Sequence, residues 1–316
     1  MAFGGSFRNL SRMNIWQALF LGALQGVSEL FPVSSLAQTI LIPAILGWNF
    51  GPDVRERPDF LAFVVALHLA TAVALFIYFW KDWKVVIVAF LGSAKKGKLI
   101  CDEPSKFAWL LIAGTVVVGL MGLVFEKKLR QLFEDPGKAW IVAAVLVLNG
   151  LGMVMADVFK RRASEREIQP VPAPAPGDDP TGDVPAQRRR AEDLTLIEGA
   201  AIGATQTLAL VPGISRSGVT ITAGLLAGLS YEQATRFSFM LATPIIGLAA
   251  ALKVPSLFKP AARNMLGLTA VSALVAGICA YLSTRFLMRY FRHHRLAPFG
   301  WYCIIFGIFA LIVLRR

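Results

Sequence analysis

Six long apolar stretches dominate the sequence, and each has about the length that crosses a bilayer as a helix. They cover residues 60–80, 107–125, 139–158, 235–252, 266–288 and 299–314. About 20 apolar residues span the ~30 Å hydrocarbon core. Only 16% of the 316 residues are charged, whereas an ordinary soluble domain carries about 25%. This excludes a soluble enzyme, a disordered chain and a fibrous repeat, and it predicts an all-α integral membrane protein with about six full spans.

The net charge of +12 does not indicate a nucleic-acid partner. The basic residues lie between the apolar stretches, as they do in cytoplasmic loops and in contacts with lipid headgroups. The three cysteines are too widely spaced for a disulfide framework or a metal-binding pattern. Because Gln25 and Glu29 interrupt the first apolar run, we expect that run to be mature protein and not a cleaved signal.

Two further apolar regions are broken near their middle. Residues 14–47 are interrupted at Phe31-Pro32, and residues 194–229 at Val211-Pro212-Gly213. Each half is shorter than the roughly 20 residues of a comfortable span, so we predict two re-entrant helix hairpins. Irregular backbone is tolerated at membrane depth only where it lines a cavity or is buried in protein. Both breaks are therefore candidate positions for a functional site.

The chain divides near its middle at a Pro-, Ala- and Asp-rich stretch. Residues 160–193 cannot bury a core, and we predict a disordered linker between a first membrane repeat, 1–159, and a second, 194–316. The repeats resemble each other in Gly-Ala-Leu-Gln at 22–25 and Gly-Ala-Thr-Gln at 203–206. One hairpin and three spans per half predict repeats of inverted topology, with a site where the two broken elements meet.

Lysine and arginine are more frequent on one side of the predicted bundle. That side receives the predicted loop 81–106, the linker and the turn at 289–295. Since cytoplasmic loops carry an excess of these residues, we expect this side to be cytoplasmic and both termini to face outward.

A carboxylate lies within the first broken region. Glu29 follows Gln25 by four residues, which places both side chains on one helix face. An ionisable residue at membrane depth is a functional candidate by default. The alternative is a structural hydrogen bond between helices or a position near a wet interface.

Two serines follow the first break. Pro32 ends one half-helix, and Ser34 and Ser35 open the next. A helix start offers unpaired N–H groups that suit a phosphate. A serine there can also act as a nucleophile if Glu29 takes its proton. The alternative is ordinary capping of the helix.

The second break carries the most informative stretch, residues 212–220. It supplies flexible backbone and hydroxyl groups at Gly213, Ser215, Ser217, Gly218 and Thr220. Arg216 adds a permanently charged fork that matches phosphate oxygens. The alternative is an arginine that snorkels to the lipid headgroups beside capping serines. Together the breaks predict a phosphate-binding site within a membrane, for a phosphorylated lipid or a transported phosphate.

Both stretches resemble the signatures of one family. Residues 25–35, Gln-Gly-Val-Ser-Glu-Leu-Phe-Pro-Val-Ser-Ser, resemble the (E/Q)xxxE and PVSS signature of the undecaprenyl-diphosphate phosphatases (BacA/UppP). Residues 212–220 match the second signature, PGxSRSxxT, and the resemblance covers the chain except residues 160–193. It implies a multi-pass enzyme of the bacterial cytoplasmic (inner) membrane, with inverted repeats, two re-entrant hairpins and a site open to the outer face.

The resemblance also implies an activity and residue roles. The family hydrolyses undecaprenyl diphosphate, a polyprenyl diphosphate lipid, to undecaprenyl phosphate and inorganic phosphate, which recycles the lipid carrier for cell-wall synthesis and gives bacitracin resistance. Glu29 matches the essential carboxylate, Ser35 the nucleophile and Arg216 the diphosphate clamp. The expected substrate contacts are Gln25, Ser34, Gln38, Gly213, Ser215, Ser217 and Thr220.

One position departs from the family pattern. The signature usually continues PVSSxGH, and Gln38 occupies the place of the histidine. Glutamine cannot shuttle a proton, and loss of a general acid or base commonly costs about 10²–10⁴-fold in rate. His68, inside a predicted span, is a candidate substitute acid or base, or else a satisfied structural residue. His293 and His294, in a basic turn, are expected to be solvated.

This departure keeps other functions open. A transporter or flippase for lipid phosphates, or a catalytically impaired homologue, would use the same pocket, and an anchor for a soluble partner is a third option. The resemblance admits help from Mg²⁺ or Ca²⁺, but the motifs hold one carboxylate, so we name no metal ligands and require no cofactor. The oligomeric state is left open, with a homodimer as one option.

Overall fold

The computed structural model describes residues 13–48, 58–133, 139–167, 189–255 and 265–315. Within these ranges the chain contains helices and no strand. The α-helices are α1 (Ile15–Ser28), α2 (Ser35–Ile45), α3 (Pro58–Tyr78), α4 (Trp80–Lys95), α5 (Glu103–Phe133), α6 (Ala139–Glu167), α7 (Leu196–Thr205), α8 (Arg216–Leu226), α9 (Tyr231–Lys253), α10 (Leu266–Tyr290) and α11 (Ala297–Leu314). Two 3₁₀ turns cover Ala191–Asp193 and Gln206–Leu210.

Six of these helices are long and apolar enough to cross a membrane, namely α3, α5, α6, α9, α10 and α11. They correspond one to one with the six predicted spans, which confirms the prediction of an all-α, multi-pass protein. The shorter apolar helices α1, α2 and α7 belong to the two broken regions.

One predicted loop is a helix. We expected a loop over residues 81–106, but α4 occupies Trp80–Lys95. Its mixture of lysines and apolar residues is too polar for a span, which is why hydropathy alone missed it. Arg236 of α9 donates a hydrogen bond of 2.7 Å to the Asp82 carboxylate and so holds α4 against the bundle.

The predicted linker is shorter at both ends than the sequence indicated. Helix α6 continues to Glu167, and the 3₁₀ turn Ala191–Asp193 precedes α7. Arg236 donates to Glu192 at 2.8 Å, which fixes that turn to α9. Residues 168–188, the centre of the predicted linker, lie outside the described residues.

The break between α1 and α2 follows from local chemistry. A reciprocal capping box between Asn14 and Gln17 starts α1. Pro32 has no N–H to continue a helix, and Ser34 caps α2 with φ of +63°. Ser34 is the one residue other than glycine, among those described, that adopts a positive φ. Such backbone costs about 1–3 kcal/mol and is concentrated at functional sites.

The second broken region has the same plan. A capping box between Thr195 and Glu198 starts α7, which tightens into the 3₁₀ turn Gln206–Leu210. Gly213 then adopts φ of +109°, and Ser215 caps α8. A side chain at Gly213 would also strike α6, since its Cβ would lie 2.8 Å from the carbonyl oxygen of Val142.

Glycines let each broken region pack closely on a long helix. Gly22 and Gly26 of α1 lie against the backbone of Ser272 and Ala276 in α10. Small residues at such contacts are typical of membrane helix packing. Residue numbers rise together along this contact, so α1 runs parallel to α10.

The second region makes the matching contact on α5. Gly199 packs on Leu110, and Gly203 packs on Gly114. Residue numbers again rise together, so α7 runs parallel to α5. Helices α6 and α11 run antiparallel and pack closely where Gly150 contacts Gly300. These contacts bring the break after α1 and the break before α8 to the same place in the bundle.

Candidate active site

The first break presents a carboxylate that accepts several hydrogen bonds. Glu29 follows directly after α1, and its side chain is 8% exposed. Its Oε2 atom accepts a hydrogen bond of 2.9 Å from Nε2 of Gln25, one helical turn earlier. The same oxygen accepts a hydrogen bond of 2.5 Å from Oγ of Ser35. Glu29 is therefore positioned to take the proton of the Ser35 hydroxyl.

Ser35 is the first residue of α2, so its hydroxyl lies at a helix start. Ser34 caps this helix through a long contact of 3.4 Å from the Ala37 amide to its Oγ. The amides of Ser35 and Leu36 find no acceptor among the described residues. Unpaired N–H groups beside the hydroxyl form a ready site for phosphate oxygens.

The second break brings a cation to this carboxylate. Arg216, the first residue of α8, donates a hydrogen bond from Nη2 to Oε1 of Glu29. Its side chain is largely buried, and Glu29 is its one side-chain partner among the described residues. Ser217 donates a hydrogen bond of 3.2 Å to the carbonyl oxygen of Phe31. The two breaks therefore meet through a side-chain pair and through a backbone contact.

Three residues of the second motif that we expected to contact the substrate, Ser215, Ser217 and Thr220, form hydrogen bonds within the protein. The hydroxyl of Ser215 accepts from the Gly218 amide at 3.2 Å and lies 3.2 Å from the hydroxyl of Ser217. Thr220 is buried and donates to the carbonyl oxygen of Arg216 at 2.7 Å. In this arrangement these hydroxyls shape the turn that carries Arg216.

Gln38 also forms its hydrogen bonds within the protein. It is buried, and its Nε2 donates a hydrogen bond of 3.0 Å to the carbonyl oxygen of Val33. Its Oε1 accepts one of 3.1 Å from the hydroxyl of Tyr302 on α11. We expected Gln38 to contact the substrate, whereas these bonds engage both ends of its amide. The residue ties the turn before α2 to α11.

His68 lies beside the carboxylate. Its Nε2 atom is 3.8 Å from Oε2 of Glu29, and its side chain is 35% exposed. Its Nδ1 atom is 2.9 Å from the carbonyl oxygen of Val64. Because a carbonyl oxygen only accepts hydrogen bonds, Nδ1 must carry a hydrogen here. The other ring nitrogen, Nε2, is the one that faces Glu29. His293 and His294 are exposed, as expected.

Sequence reasoning missed the residues that hold the turns in place. Asn149 of α6 accepts a hydrogen bond of 3.0 Å from the Ser215 amide and donates a long one to Cys303 of α11. The thiol of Cys303 in turn contacts the carbonyl oxygen of Pro32 at 3.7 Å. An asparagine within a span is a signal that could have identified Asn149, because polar residues at membrane depth are costly.

The residues of the site do not form a metal-binding set. The described part of the chain contains no group of three or more His, Cys, Asp or Glu side chains that could hold an ion. Both oxygens of Glu29 already accept hydrogen bonds. Mg²⁺ is usually held by one or two carboxylates together with water and substrate phosphates. Glu29 is the one carboxylate of the two motifs, and we derive no step through a metal ion.

Comparison with known proteins identifies relatives along nearly the whole chain. Residues 18–309 match the family described as Bacitracin resistance protein BacA. An undecaprenyl-diphosphatase of Mycolicibacterium paratuberculosis is 42% identical over 299 residues, which cover 94% of this chain and 96% of the relative. An undecaprenyl-diphosphatase of Mycobacterium avium is 41% identical over 305 residues, which cover 96% of this chain and 98% of the relative.

A third relative gives the same result. A protein of Chromobacterium violaceum named undecaprenyl-diphosphatase 2 is 42% identical over 304 residues, which cover 95% of this chain and 99% of the relative. These relatives carry the name of a hydrolase, so the transporter alternative is not favoured. Since the family match covers residues 18–309 and reaches both broken regions and all six long helices, the chain belongs to the BacA family.

Proposed function

We propose that this protein is a membrane phosphatase that hydrolyses undecaprenyl diphosphate to undecaprenyl phosphate and inorganic phosphate. The observation that carries the proposal is the contact of Glu29 with both Ser35 and Arg216. It joins a base, a nucleophile and a phosphate-binding cation in one buried site. The relatives named undecaprenyl-diphosphatase supply the substrate class.

The first chemical step forms a phosphoserine. Oγ of Ser35 attacks the terminal phosphorus while its proton passes to Oε2 of Glu29, 2.5 Å away. The bond from that phosphorus to the bridging oxygen breaks, and the bridging oxygen keeps the electron pair. Undecaprenyl phosphate leaves, and the terminal phosphate remains on Ser35.

The second step releases inorganic phosphate. A water molecule attacks the phosphorus of the phosphoserine, and its proton passes to Nε2 of His68. The bond from phosphorus to Oγ breaks, Ser35 recovers the proton held by Glu29, and phosphate leaves. His68 then returns its proton to water, to which its side chain has access. We assign His68 the proton-transfer role that Gln38 cannot perform.

Arg216 exchanges partners during binding. In the structure its guanidinium neutralises Glu29. Its remaining N–H donors match the oxygens of a diphosphate, which carries more negative charge than one carboxylate. When the diphosphate engages the guanidinium, Glu29 is released to accept the serine proton. The free amides at the start of α2 stabilise the charge that develops on the phosphoryl oxygens.

We also infer the placement of the site in the membrane. The parallel contacts of α1 with α10 and of α7 with α5 support two re-entrant hairpins that enter from opposite faces. Repeats of inverted topology carry their site at the interface of the repeats. The protein would lie in the bacterial cytoplasmic membrane with its site open to the outer face. There it would recycle the lipid carrier for cell-wall synthesis and give bacitracin resistance.

Phosphate release from undecaprenyl diphosphate by detergent-purified protein tests the proposal. We expect wild-type turnover, and its loss in Glu29→Gln, which preserves the size of the side chain. Thr39→Ala, which removes an exposed hydroxyl from α2, is the matched control. An inactive wild type, or a Glu29→Gln variant with full turnover, would refute the proposed mechanism. A Gln38→His variant tests separately whether the histidine of the family signature adds activity here.

A further inference from the structure

A cavity of about 400 Å³ lies on the surface of α10 near its C-terminal end. It combines two arginines with apolar and aromatic side chains. The lining residues are Leu282, Arg285, Phe286, Arg289, Tyr290 and His294. None of them takes part in the proposed hydrolysis, so the cavity needs its own explanation.

The two arginines of this cavity form no ion pair within the described part of the chain. Arg285 and Arg289 are one helical turn apart and exposed, and neither pairs with a carboxylate of the described residues. The neighbouring Arg292, in contrast, donates to Glu232 at 3.0 Å. Like charges four residues apart on a helix repel each other. An anion between them would remove this repulsion.

The carboxylate of Asp157, near this end of the bundle, is already engaged. It accepts hydrogen bonds from the hydroxyl of Tyr231 at 2.7 Å and from the Leu296 amide at 3.1 Å. It therefore serves as a structural contact between α6, α9 and the start of α11. Within the described part of the chain, Asp157 does not neutralise the two arginines, and an anionic ligand could do so.

The apolar part of the cavity indicates what kind of ligand. Leu282 and Phe286 are 56% and 51% exposed, and each lies three residues before one of the two arginines on α10. The ring of Tyr290 stacks on His294 with centroids 4.5 Å apart and forms an aromatic surface beside the charges. Each arginine thus has an apolar side chain beside it on one helix face, which suits a ligand that carries both a phosphate and an acyl chain.

We propose that this cavity binds an anionic phospholipid, with its phosphate between Arg285 and Arg289 and an acyl chain along Leu282 and Phe286. Basic pockets at the ends of membrane helices recognise such headgroups. A free phosphate would leave the apolar walls without a partner. Arginines that merely snorkel would reach the headgroup layer without a cavity. The site is independent of the proposed hydrolase activity.

The test measures lipid preference in nanodiscs that contain the full chain. The probes are spin-labelled phosphatidylglycerol and phosphatidylcholine, compared at equal concentration for their protein-bound fraction. The wild type should prefer phosphatidylglycerol by about 30-fold, since each of the two basic residues near the surface contributes about 1 kcal/mol. Arg285→Gln/Arg289→Gln should reduce this preference to about twofold or less.

A matched variant distinguishes a site from general charge. Lys95→Gln/Lys98→Gln removes two exposed cations from the same end of the bundle and should retain the wild-type preference. Leu282→Gln/Phe286→Gln should lower binding of both probes at the site, and an unchanged thermal midpoint shows that each variant is folded.

Four outcomes would overturn the proposal. They are equal binding of the two lipids, an equal loss in the lysine variant, displacement of phosphatidylglycerol by millimolar inorganic phosphate, and stronger displacement by undecaprenyl phosphate than by unlabelled phosphatidylglycerol. The last would make the cavity a product site.

Discussion

Arg216 and Glu29 are 187 residues apart in sequence, and the guanidinium of one donates a hydrogen bond to the carboxylate of the other. Each comes from a different half of the chain, and each lies beside a break in a helix. A buried charge is costly unless it is paired, so neither half could hold its charged residue at this depth alone. The pair therefore joins the two halves, and it lies at the proposed phosphate site.

Two substitutions of Arg216 should distinguish the effect of its positive charge from the effect of its planar guanidinium. Lysine retains the charge but loses the planar fork, so Arg216→Lys should lower kcat/KM by about 10–100-fold, the worth of one or two charge-assisted hydrogen bonds. Arg216→Ala also leaves Glu29 unpaired and should cost about 3–5 kcal/mol of stability. Phosphate release and the thermal midpoint measure the two effects. Arg292→Lys, at an exposed ion pair, should change neither, and wild-type kcat/KM in Arg216→Lys would exclude the clamp.

The hydroxyl of Ser35 should be essential for turnover. Ser35→Ala removes the nucleophile, and activity should fall by at least about 10³-fold because the remaining site offers only binding and electrostatic stabilisation. Thr39→Ala removes a hydroxyl from the same helix and should turn over as the wild type does. Single-turnover experiments with labelled substrate should trap phosphate on Ser35. Phosphate release that persists in Ser35→Ala would instead indicate direct attack by water.

His68 should control proton transfer and not stability. His68→Gln preserves a polar side chain, and kcat should fall by about 10²–10⁴-fold, as for loss of a general acid or base. The thermal midpoint should change little, because the half-buried ring makes a single hydrogen bond to Val64. The measurements are kcat for phosphate release and the thermal midpoint. His293→Gln is the control, and an unchanged kcat in His68→Gln would assign the proton transfer elsewhere.

Gln38 and Tyr302 should be energetically coupled. The single variants Gln38→Leu and Tyr302→Phe each remove the hydrogen bond between the two side chains. A double-mutant cycle on the free energy of unfolding should therefore give a coupling of about 0.5–1.5 kcal/mol. Gln38→Leu should cost more than Tyr302→Phe, because it also leaves the Val33 carbonyl unpaired. Additive effects of the two substitutions would mean that the contact contributes nothing to stability.

Gly26 should be intolerant of any side chain. A Cβ there would overlap the carbonyl oxygen of Ala276 and lie 2.8 Å from Cβ of Cys279. Gly26→Ala should therefore separate α1 from α10 and destabilise the protein by about 1–3 kcal/mol or more. Gly119→Ala, in open space on α5, should be neutral or stabilising by about 0.4–1 kcal/mol. Thermal unfolding in detergent compares them, and equal midpoints would contradict the close packing of α1.

The sequence was sufficient for the long helices, because a stretch of apolar residues that must satisfy its own backbone in lipid has little choice but a helix. It also singled out Glu29, Ser35 and Arg216, and the structure brings these three side chains into contact; their roles in catalysis stay a prediction. It failed for α4, whose stability depends partly on the contact of Asp82 with Arg236. Such a contact between distant residues leaves no periodic pattern in sequence.

Gln38 is a second case, within the site, in which a contact between distant residues could not be predicted from the sequence. Its position in the motif predicted a substrate contact, but the partner that fixes its amide, Tyr302, lies 264 residues away. Asn149 and Cys303 were missed for a related reason. Each is a single polar or thiol side chain in an apolar helix, and its importance depends on which backbone atom faces it in the folded chain.

The bridge from Pro32 through Cys303 and Asn149 to the Ser215 amide has a consequence for turnover. It spans the same two breaks as the ion pair, but through neutral groups on α6 and α11 that a phosphate cannot displace. In the proposed mechanism this bridge would maintain the spacing of the breaks when the substrate separates Arg216 from Glu29. Reorganisation during each catalytic cycle would then be confined to a few side-chain torsions, so little of the substrate's binding energy would be spent on moving the backbone.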